Sequence, residues 1–305
     1  MKKTYLILAA FALLTGMTLM NSCKKDDNQV TDTAVLNQEQ SSDEEDVAAS
    51  TDNVDDDIDI IMSASTLKST NVNLPCNSTI DSSQIANKKL SITFKGDNCR
   101  GSRTRSGKVE VTLTNGTKWQ DVGAVLTIKY TDLTITNKKG RSIVINGTKT
   151  HTNVSGGLVK NLGLAGTPAT IIRKIESSDM KVTFPNNTAR TWNIARQRTF
   201  TKVNGNTIIT VTGFGSADGK SNLVVWGSNR RATNFYTQIN TPVVMSSECD
   251  YNPSSGAKVH YVGLRTVNVT LGTDVNGVPV TEGCADYYKI SWEAVGGTKT
   301  VILPY

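Results

Sequence analysis

Six residues at alternate positions form the most chemically suggestive pattern in the chain. They are Arg190, Trp192, Ile194, Arg196, Arg198 and Phe200. Because side chains alternate between the faces of a β-strand, a strand here would put three arginines and two aromatic rings on one face. Guanidinium groups bind sulfate, phosphate or carboxylate, and flat rings stack on sugars or bases. An exposed face predicts a site for an anionic polymer. The alternative is that Trp192, Ile194 and Phe200 are core, with the arginines reaching water at the strand ends.

A second group of basic residues lies between Gly101 and Lys108, where Arg103 and Arg105 precede Lys108. The segment resembles a phosphate-binding loop only superficially, because its spacing is one residue too long and Val109 stands where Ser or Thr would hold magnesium. We interpret it as a basic turn that leads into a strand, and we treat Arg103, Arg105 and Lys108 as candidate anion-binding or glycan-binding residues.

The common catalytic motifs are absent from the sequence. Neither G-x-S-x-G nor H-E-x-x-H occurs, and the two histidines, His151 and His260, are isolated on strand-like runs. These features disfavour a histidine-based triad and a zinc site. Two carboxylates distant in the chain could still form a glycosidase pair. We therefore expect a protein that is not an enzyme and has no cofactor or metal, with a glycan-degrading enzyme as the third hypothesis.

The cysteines other than Cys23 indicate disulfide bonds. They are Cys76, Cys99, Cys249 and Cys284. In an exported protein an even number of cysteines is typical of disulfides. Three pairings are open, and we favour Cys76 with Cys99 and Cys249 with Cys284, because each bridge would then span a hairpin-sized segment.

The N-terminus has the order of a secretory signal peptide. Two lysines precede an apolar run that ends shortly before Cys23. Residues 19–23 resemble a lipobox, in which the cysteine is acylated, and the charged residues 24–27 resemble the signal that sends Bacteroidota lipoproteins to the cell surface. We expect a signal peptide over residues 1–22 and a lipid at Cys23 that anchors the protein to the outer membrane. A retained transmembrane helix is the weaker alternative.

The segment from Cys23 to Thr70 is acidic, with 13 Asp and Glu against three Lys. It has few apolar residues and no aromatic ones, so it cannot bury enough apolar surface to offset the entropy lost on ordering. We expect residues 23–70 to form a flexible tether that its own charge extends. The alternative is a short helix between Asp43 and Ser63, with Ile58, Ile60 and Ile61 on its apolar side.

Residues 71–305 have the opposite charge, with 28 Lys and Arg against 14 Asp and Glu, a net charge of +14. Such a domain attracts anions over about 8 Å at physiological salt. Candidate partners outside a cell are anionic glycans, lipopolysaccharide and extracellular DNA. The alternative is that the basic residues solubilise strand faces or neutralise the acidic tether of the same chain. The sequence indicates no oligomeric state.

Strands are the elements that must position these residues. Val109, Val111 and Leu113 alternate with polar residues, which is typical of a half-buried strand. Four Asn-Gly pairs fall between strand-like runs and favour two-residue hairpin turns. They are Asn115-Gly116, Asn146-Gly147, Asn204-Gly205 and Asn276-Gly277. The sequence predicts a disulfide-braced, all-β domain over residues 71–305, either an antiparallel sandwich or an elongated twisted sheet, in one body or two lobes.

Short motifs lie in a defined order along this domain. The first group contains Asn98-Cys99, Arg103 to Lys108 and Asn146 to Thr150, and the second contains Thr241-Pro242, Cys249, Gly283-Cys284 and Gly297 to Val301. In this order they resemble a group of uncharacterised Bacteroidota lipoproteins, of the kind found in Flavobacteria and Cytophaga. The resemblance implies a β-rich fold and a surface location, with no activity attached.

The leading functional hypothesis from the sequence is a surface-exposed lipoprotein that acts as a binding or adhesion module for an anionic polymer or glycan. A structural protein of the cell envelope without a soluble ligand is the alternative.

Overall fold

The computed structural model describes residues 26–63 and 75–305, so the predicted signal peptide and Cys23 lie outside the described residues. Helix α1 spans Asp26–Met62. The strands are β1 Ser78–Asp81, β2 Lys89–Asp97, β3 Arg103–Asn115, β4 Ala124–Asn137, β5 Ser142–Asn153, β6 Ile171–Thr183, β7 Ala189–Val203, β8 Asn206–Gly213, β9 Gly215–Ala217, β10 Lys220–Ser228, β11 Asn234–Ser246, β12 Pro253–Val262, β13 Arg265–Thr273, β14 Tyr287–Ala294 and β15 Gly297–Pro304. Short 3₁₀ helices span Ile85–Asn87, Val159–Asn161 and Ser247–Cys249.

The fifteen strands form one sheet, and every described pairing is antiparallel. Strands β1 to β7 follow one another across the sheet, and β10 to β15 continue it. Strand β7 pairs with β8 along residues 196–203 and with β10 at Asn193 and Ile194, so β8 and β10 share the place between β7 and β11. The prediction of an all-β, antiparallel fold is confirmed.

The Asn-Gly pairs take different roles in this sheet. Asn204-Gly205 forms the expected two-residue turn between β7 and β8, with φ angles of 48° and 82° that asparagine and glycine tolerate. Asn146-Gly147 lies inside β5, where the pairing with β6 shifts register. Asn115-Gly116 lies where β3 ends and the loop to β4 begins, and Asn276-Gly277 lies in the loop between β13 and β14. The hairpin-turn prediction is therefore wrong for these three pairs, because strand pairing decides where a permissive dipeptide is used.

Both favoured disulfides are present in the structure. Cys76 is bonded to Cys99, with 5.0 Å between their Cα atoms, and Cys249 to Cys284, with 5.3 Å. The first bridge joins the residues before β1 to the turn between β2 and β3. The second joins the 3₁₀ helix after β11 to the loop before β14. The predicted local pairing is confirmed.

Four consecutive acidic residues of α1, at positions 43–46, show how the sheet is arranged around the helix. Side chains at consecutive helical positions point about 100° apart, so these four point in different directions around the axis. Each of them nevertheless has a basic partner from the strand region. In order, the partners are Arg230, Arg190, Lys258 and Arg141. They lie on β7, on β12 and in two loops, so the sheet curls around this part of α1.

The expectation of a flexible tether does not hold for residues 26–62, which are helical. From Gln40 onward, the helix belongs to the same compact unit as the sheet. Its apolar side chains Val47, Val54, Ile58 and Ile61 are buried among the strands. The alternative of a short helix between Asp43 and Ser63 located only the C-terminal part of α1, and of its three isoleucines Ile58 and Ile61 are buried while Ile60 is exposed. Composition missed the helix because α1 owes its burial mainly to paired charges. Among the described helices, none is long and apolar enough to cross a membrane.

Candidate functional site

Between residues 40 and 62, α1 carries nine acidic residues, and each forms an ion pair with a basic residue from the strand region. The pairs are Asp43–Arg230, Glu44–Arg190, Glu45–Lys258, Asp46–Arg141, Asp52–Arg196, Asp55–Lys149, Asp56–Arg198, Asp57–Arg105 and Asp59–Arg173. Nine of the 28 basic residues that give the domain its charge are therefore neutralised within the chain. For these nine residues, the structure matches the alternative that the basic residues neutralise the acidic segment of the same chain.

Asp55 is the centre of this network and is fully buried. Its two carboxylate oxygens lie 2.7 and 2.8 Å from Nζ of Lys149, and the hydroxyl of Tyr130 donates to the carboxylate at 3.0 Å. Burial alone would raise the pKa of Asp55, but the charges around it, above all that of Lys149, hold the pKa at about 2. The carboxylate is therefore ionised at every physiological pH.

The two histidines are structural and lie within the same interior. Nε2 of His151 is 3.5 Å from the Asp55 carboxylate, and Nδ1 of His260 is 2.9 Å from the hydroxyl oxygen of Thr237. Burial lowers the pKa of His151 to about 3 and that of His260 to about 4, so both rings are neutral at pH 7. In the described part of the chain, no group of three or more His, Cys, Asp or Glu side chains is placed to hold a metal ion.

Strand β7 is not an exposed binding face. Trp192, Ile194 and Phe200 are buried, as the core alternative predicted. Its arginines do not reach water at the strand ends, because Arg190, Arg196 and Arg198 are themselves buried and paired with α1. Both interpretations assumed that a guanidinium group must contact solvent. In the structure, the carboxylates of α1 take the place of water.

The three basic residues of β3 separate into different environments. Arg105 is buried against Asp57, with its guanidinium carbon 4.4 Å from the centre of the Phe94 ring. Lys108 is exposed and pairs with Glu110 at 3.1 Å. Arg103 is half-buried, and its Nε is buried without a hydrogen-bond partner. Only Arg103 keeps a guanidinium group that can accept a further anion.

A cleft with a volume of about 370 Å³ opens beside α1, and we name it the α1 cleft. Four of the seven candidate residues line it: Arg103, Trp192, Arg196 and Arg198. On the helix side, the lining consists of Ala48, Ala49, Asn53 and five acidic residues that are paired with basic residues of the strand region. The part of the lining that comes from β8, β10 and β11 is apolar, and the remaining strands and loops contribute mostly polar, charged and aromatic residues. The cleft is within the size range of small-molecule binding sites.

From the sequence alone, the acidic partners of these arginines belong to the expected flexible tether, where water would solvate their charges. A signal for their role was present, because Asp52, Asp55, Asp56 and Asp59 have the spacing of one helical face. Their partners could not be identified from the sequence. Arg105, Lys149 and Arg173 lie on three different strands, which only the curled sheet brings together.

Comparison of the chain with protein-family models, curated proteins and solved structures finds no match.

Proposed function

We propose that this protein is a non-catalytic binding module, anchored by a lipid at Cys23 to the outer membrane and displayed at the cell surface, and that it takes an anionic ligand into the α1 cleft. One observation carries the proposal. Residues that are far apart in sequence, Arg103 on β3 and Trp192, Arg196 and Arg198 on β7, meet at one cleft of ligand size. The anchoring part rests on the residues before Cys23 and on the resemblance to Bacteroidota surface lipoproteins.

Six acidic and six basic residues line the cleft, and all six acidic residues are paired, so two cations, Arg103 and Lys138, are left without an ion pair among the described residues. Arg196 and Arg198 are paired with Asp52 and Asp56, so they offer little attraction beyond the chain itself. Arg103, in contrast, makes no hydrogen bond or ion pair through its guanidinium group with any described residue. Burial lowers the pKa of Arg103, so a bound anion would stabilise its charged form.

The test uses the full chain with Cys23→Ala, which we expect to be unacylated. It would be applied to an array of anionic glycans, lipopolysaccharide and nucleic acids at low and high salt. Arg103→Ala should weaken binding by about tenfold, since a hydrogen bond to a charged group contributes roughly 1.5–3 kcal/mol. Lys108→Ala is the matched control, because Lys108 lies on the same strand outside the cleft. Equal effects of the two substitutions would remove the cleft as the site.

A structural role in the cell envelope is the second candidate function. The observation that favours it is the set of nine ion pairs. They neutralise basic side chains that would otherwise attract an anionic ligand. The absence of binding to every anionic probe at low ionic strength would support this role over the binding module.

A further inference from the structure

Part of the α1 cleft has an apolar lining, which we name the floor. It is formed by Trp192, Val211, Val225, Ile239, Val243 and Met245. These residues come from β7, β8, β10 and β11. The floor of the cleft therefore lies where β8 and β10 both pair with β7 and β11. Such a surface offers few hydrogen-bonding groups. Sugar hydroxyls placed on it would lose their hydrogen bonds to water without replacing them.

The mouth of the cleft has a different chemistry. Arg100, Arg103, Lys138 and Asp250 lie there, and all except Arg103 are exposed. Arg100 is engaged, because its guanidinium group lies 3.8 Å from the carboxylate of Asp250. Arg103 and Lys138 form no ion pair with any described residue. Two cationic groups that line the cleft together with its apolar floor are therefore available to an anion.

One buried polar atom of the cleft lining, the indole nitrogen of Trp192, also bears on the type of ligand. The side chain of Trp192 is almost fully buried, and its indole N–H has no hydrogen-bond acceptor among the described residues. A buried donor without a partner is costly in a folded protein. A ligand with one polar group near the indole and an apolar body elsewhere would satisfy it.

We infer that the ligand of the α1 cleft is an anionic amphiphile, with its phosphate or carboxylate head at Arg103 and Lys138 and its apolar chain along the valine-rich floor. This inference rests on the proposed function and names the ligand class of the same site. The exposure of the lining residues gives the orientation, because Lys138 is exposed and Arg103 is half-buried, whereas the aliphatic residues Val211, Val225 and Ile239 are buried. The charged residues that line the cleft more deeply, such as Arg196 and Asp52, are paired with one another.

The test measures binding of n-alkyl phosphates of eight, ten and twelve carbons, below their micelle-forming concentrations, to the full chain with Cys23→Ala. Affinity should rise about fourfold for each added methylene while the floor is being covered. The matching n-alkyl alcohols should bind at least about tenfold more weakly than the phosphates, and inorganic phosphate should bind more weakly still. Arg103→Gln should reduce the preference for the phosphate head and keep the dependence on chain length.

A second pair of variants tests the floor. Met245→Gln should reduce the gain per methylene, and Met62→Gln should not, because Met62 is also half-buried but does not line the cleft. The inference is overturned if inorganic phosphate binds as tightly as dodecyl phosphate, or if the alcohols match the phosphates. If alkyl phosphates fail while sulfated glycans bind in an Arg103-dependent way, the inference falls and the proposed function stands. If no anionic probe binds, both fall.

Discussion

The ammonium group of Lys149 lies 2.7 and 2.8 Å from the two carboxylate oxygens of Asp55, and at most 2 % of either side chain is exposed. One residue comes from the middle of α1 and the other from β5, 94 positions later. The pair therefore ties the N-terminal helix to the sheet in a place that water does not reach.

Removal of Asp55 should destabilise the protein strongly. Asp55→Ala leaves the Lys149 ammonium group buried without its counter-ion, and breaking a buried pair in this way typically costs about 3–5 kcal/mol. Asp55→Leu combined with Lys149→Met should recover part of that loss, since neither charge is then left unpaired. Urea unfolding measures both variants, with Lys108→Ala as an exposed control expected to lie within about 0.5 kcal/mol of the unmodified protein. A loss below about 1 kcal/mol for Asp55→Ala would show that water reaches the pair.

The strand region should not fold without α1. A fragment of residues 71–305 would leave eight buried or partly buried cations, and the exposed Arg141, without the carboxylates they contact. We expect the fragment to lack cooperative thermal unfolding, followed by near-ultraviolet circular dichroism. A peptide of residues 26–63 added in trans should restore the transition. A scrambled peptide of the same composition is the control. Cooperative unfolding of the fragment alone would contradict this dependence on the helix.

The histidine contribution to stability should fall as the pH is lowered from about 6.5 toward 4, while Asp56, whose pKa burial raises to about 6, contributes in the opposite direction. His151 and His260 have folded-state pKa values of about 3 and about 4, below the ordinary value of 6.5. Their neutral forms therefore contribute stability that is fully present above pH 6.5 and is lost as the unfolded chain gains protons first. Between pH 7 and 4.5 the loss should be about 2 kcal/mol for each ring.

The histidine contribution can be isolated by comparing variants at the two pH values. His151→Asn and His260→Asn should each lower stability at pH 7, and the difference from the unmodified protein should shrink at pH 4.5. Asp55 does not interfere, because its pKa of about 2 places the loss of its contribution below pH 4. Parallel stability curves for variant and unmodified protein would refute the assignment of neutral histidines.

The disulfides should stabilise the sheet near its two ends. They close segments of 23 and 35 residues, for which loop-closure entropy predicts about 3–4 kcal/mol each. Cys249→Ser with Cys284→Ser should lower the urea midpoint by the corresponding amount, and so should the double change at Cys76 and Cys99. The comparison requires both variants to retain the circular dichroism spectrum of the parent. An unchanged midpoint would mean that the bridges do not restrict the unfolded chain.

The anchoring hypothesis predicts a change in both mass and partition. Cys23→Ala should remove the mass of the acyl groups and shift the protein from the membrane to the soluble fraction, because several buried acyl chains provide the attachment. Mass spectrometry and membrane fractionation measure the two effects, and Ser22→Ala, which keeps the cysteine, is the control. Identical mass and partition for the Cys23→Ala variant and the parent would refute lipidation.

Local sequence patterns determined the strands and both bridges. The alternation along β7 put Trp192, Ile194 and Phe200 on one face, because the two-residue period of a strand is a property of the backbone itself. The same pattern does not encode what covers that face, so the exposure of Arg196 and Arg198 could not be settled locally. The disulfide pairing was accessible because each bridge is short in sequence.

Only the tertiary structure decided the state of the acidic segment. On its own, α1 has carboxylates at i, i+3 and i+4 spacing that repel one another, so its composition favours an extended chain. The curled sheet turns this repulsion into attraction, because it places a cation against every acidic residue of α1 from position 40 onward. The charges of both partners are visible in the sequence. Their pairing depends on strands up to 213 residues away, and no local physical signal connects Glu45 to Lys258 before the sheet has closed around the helix.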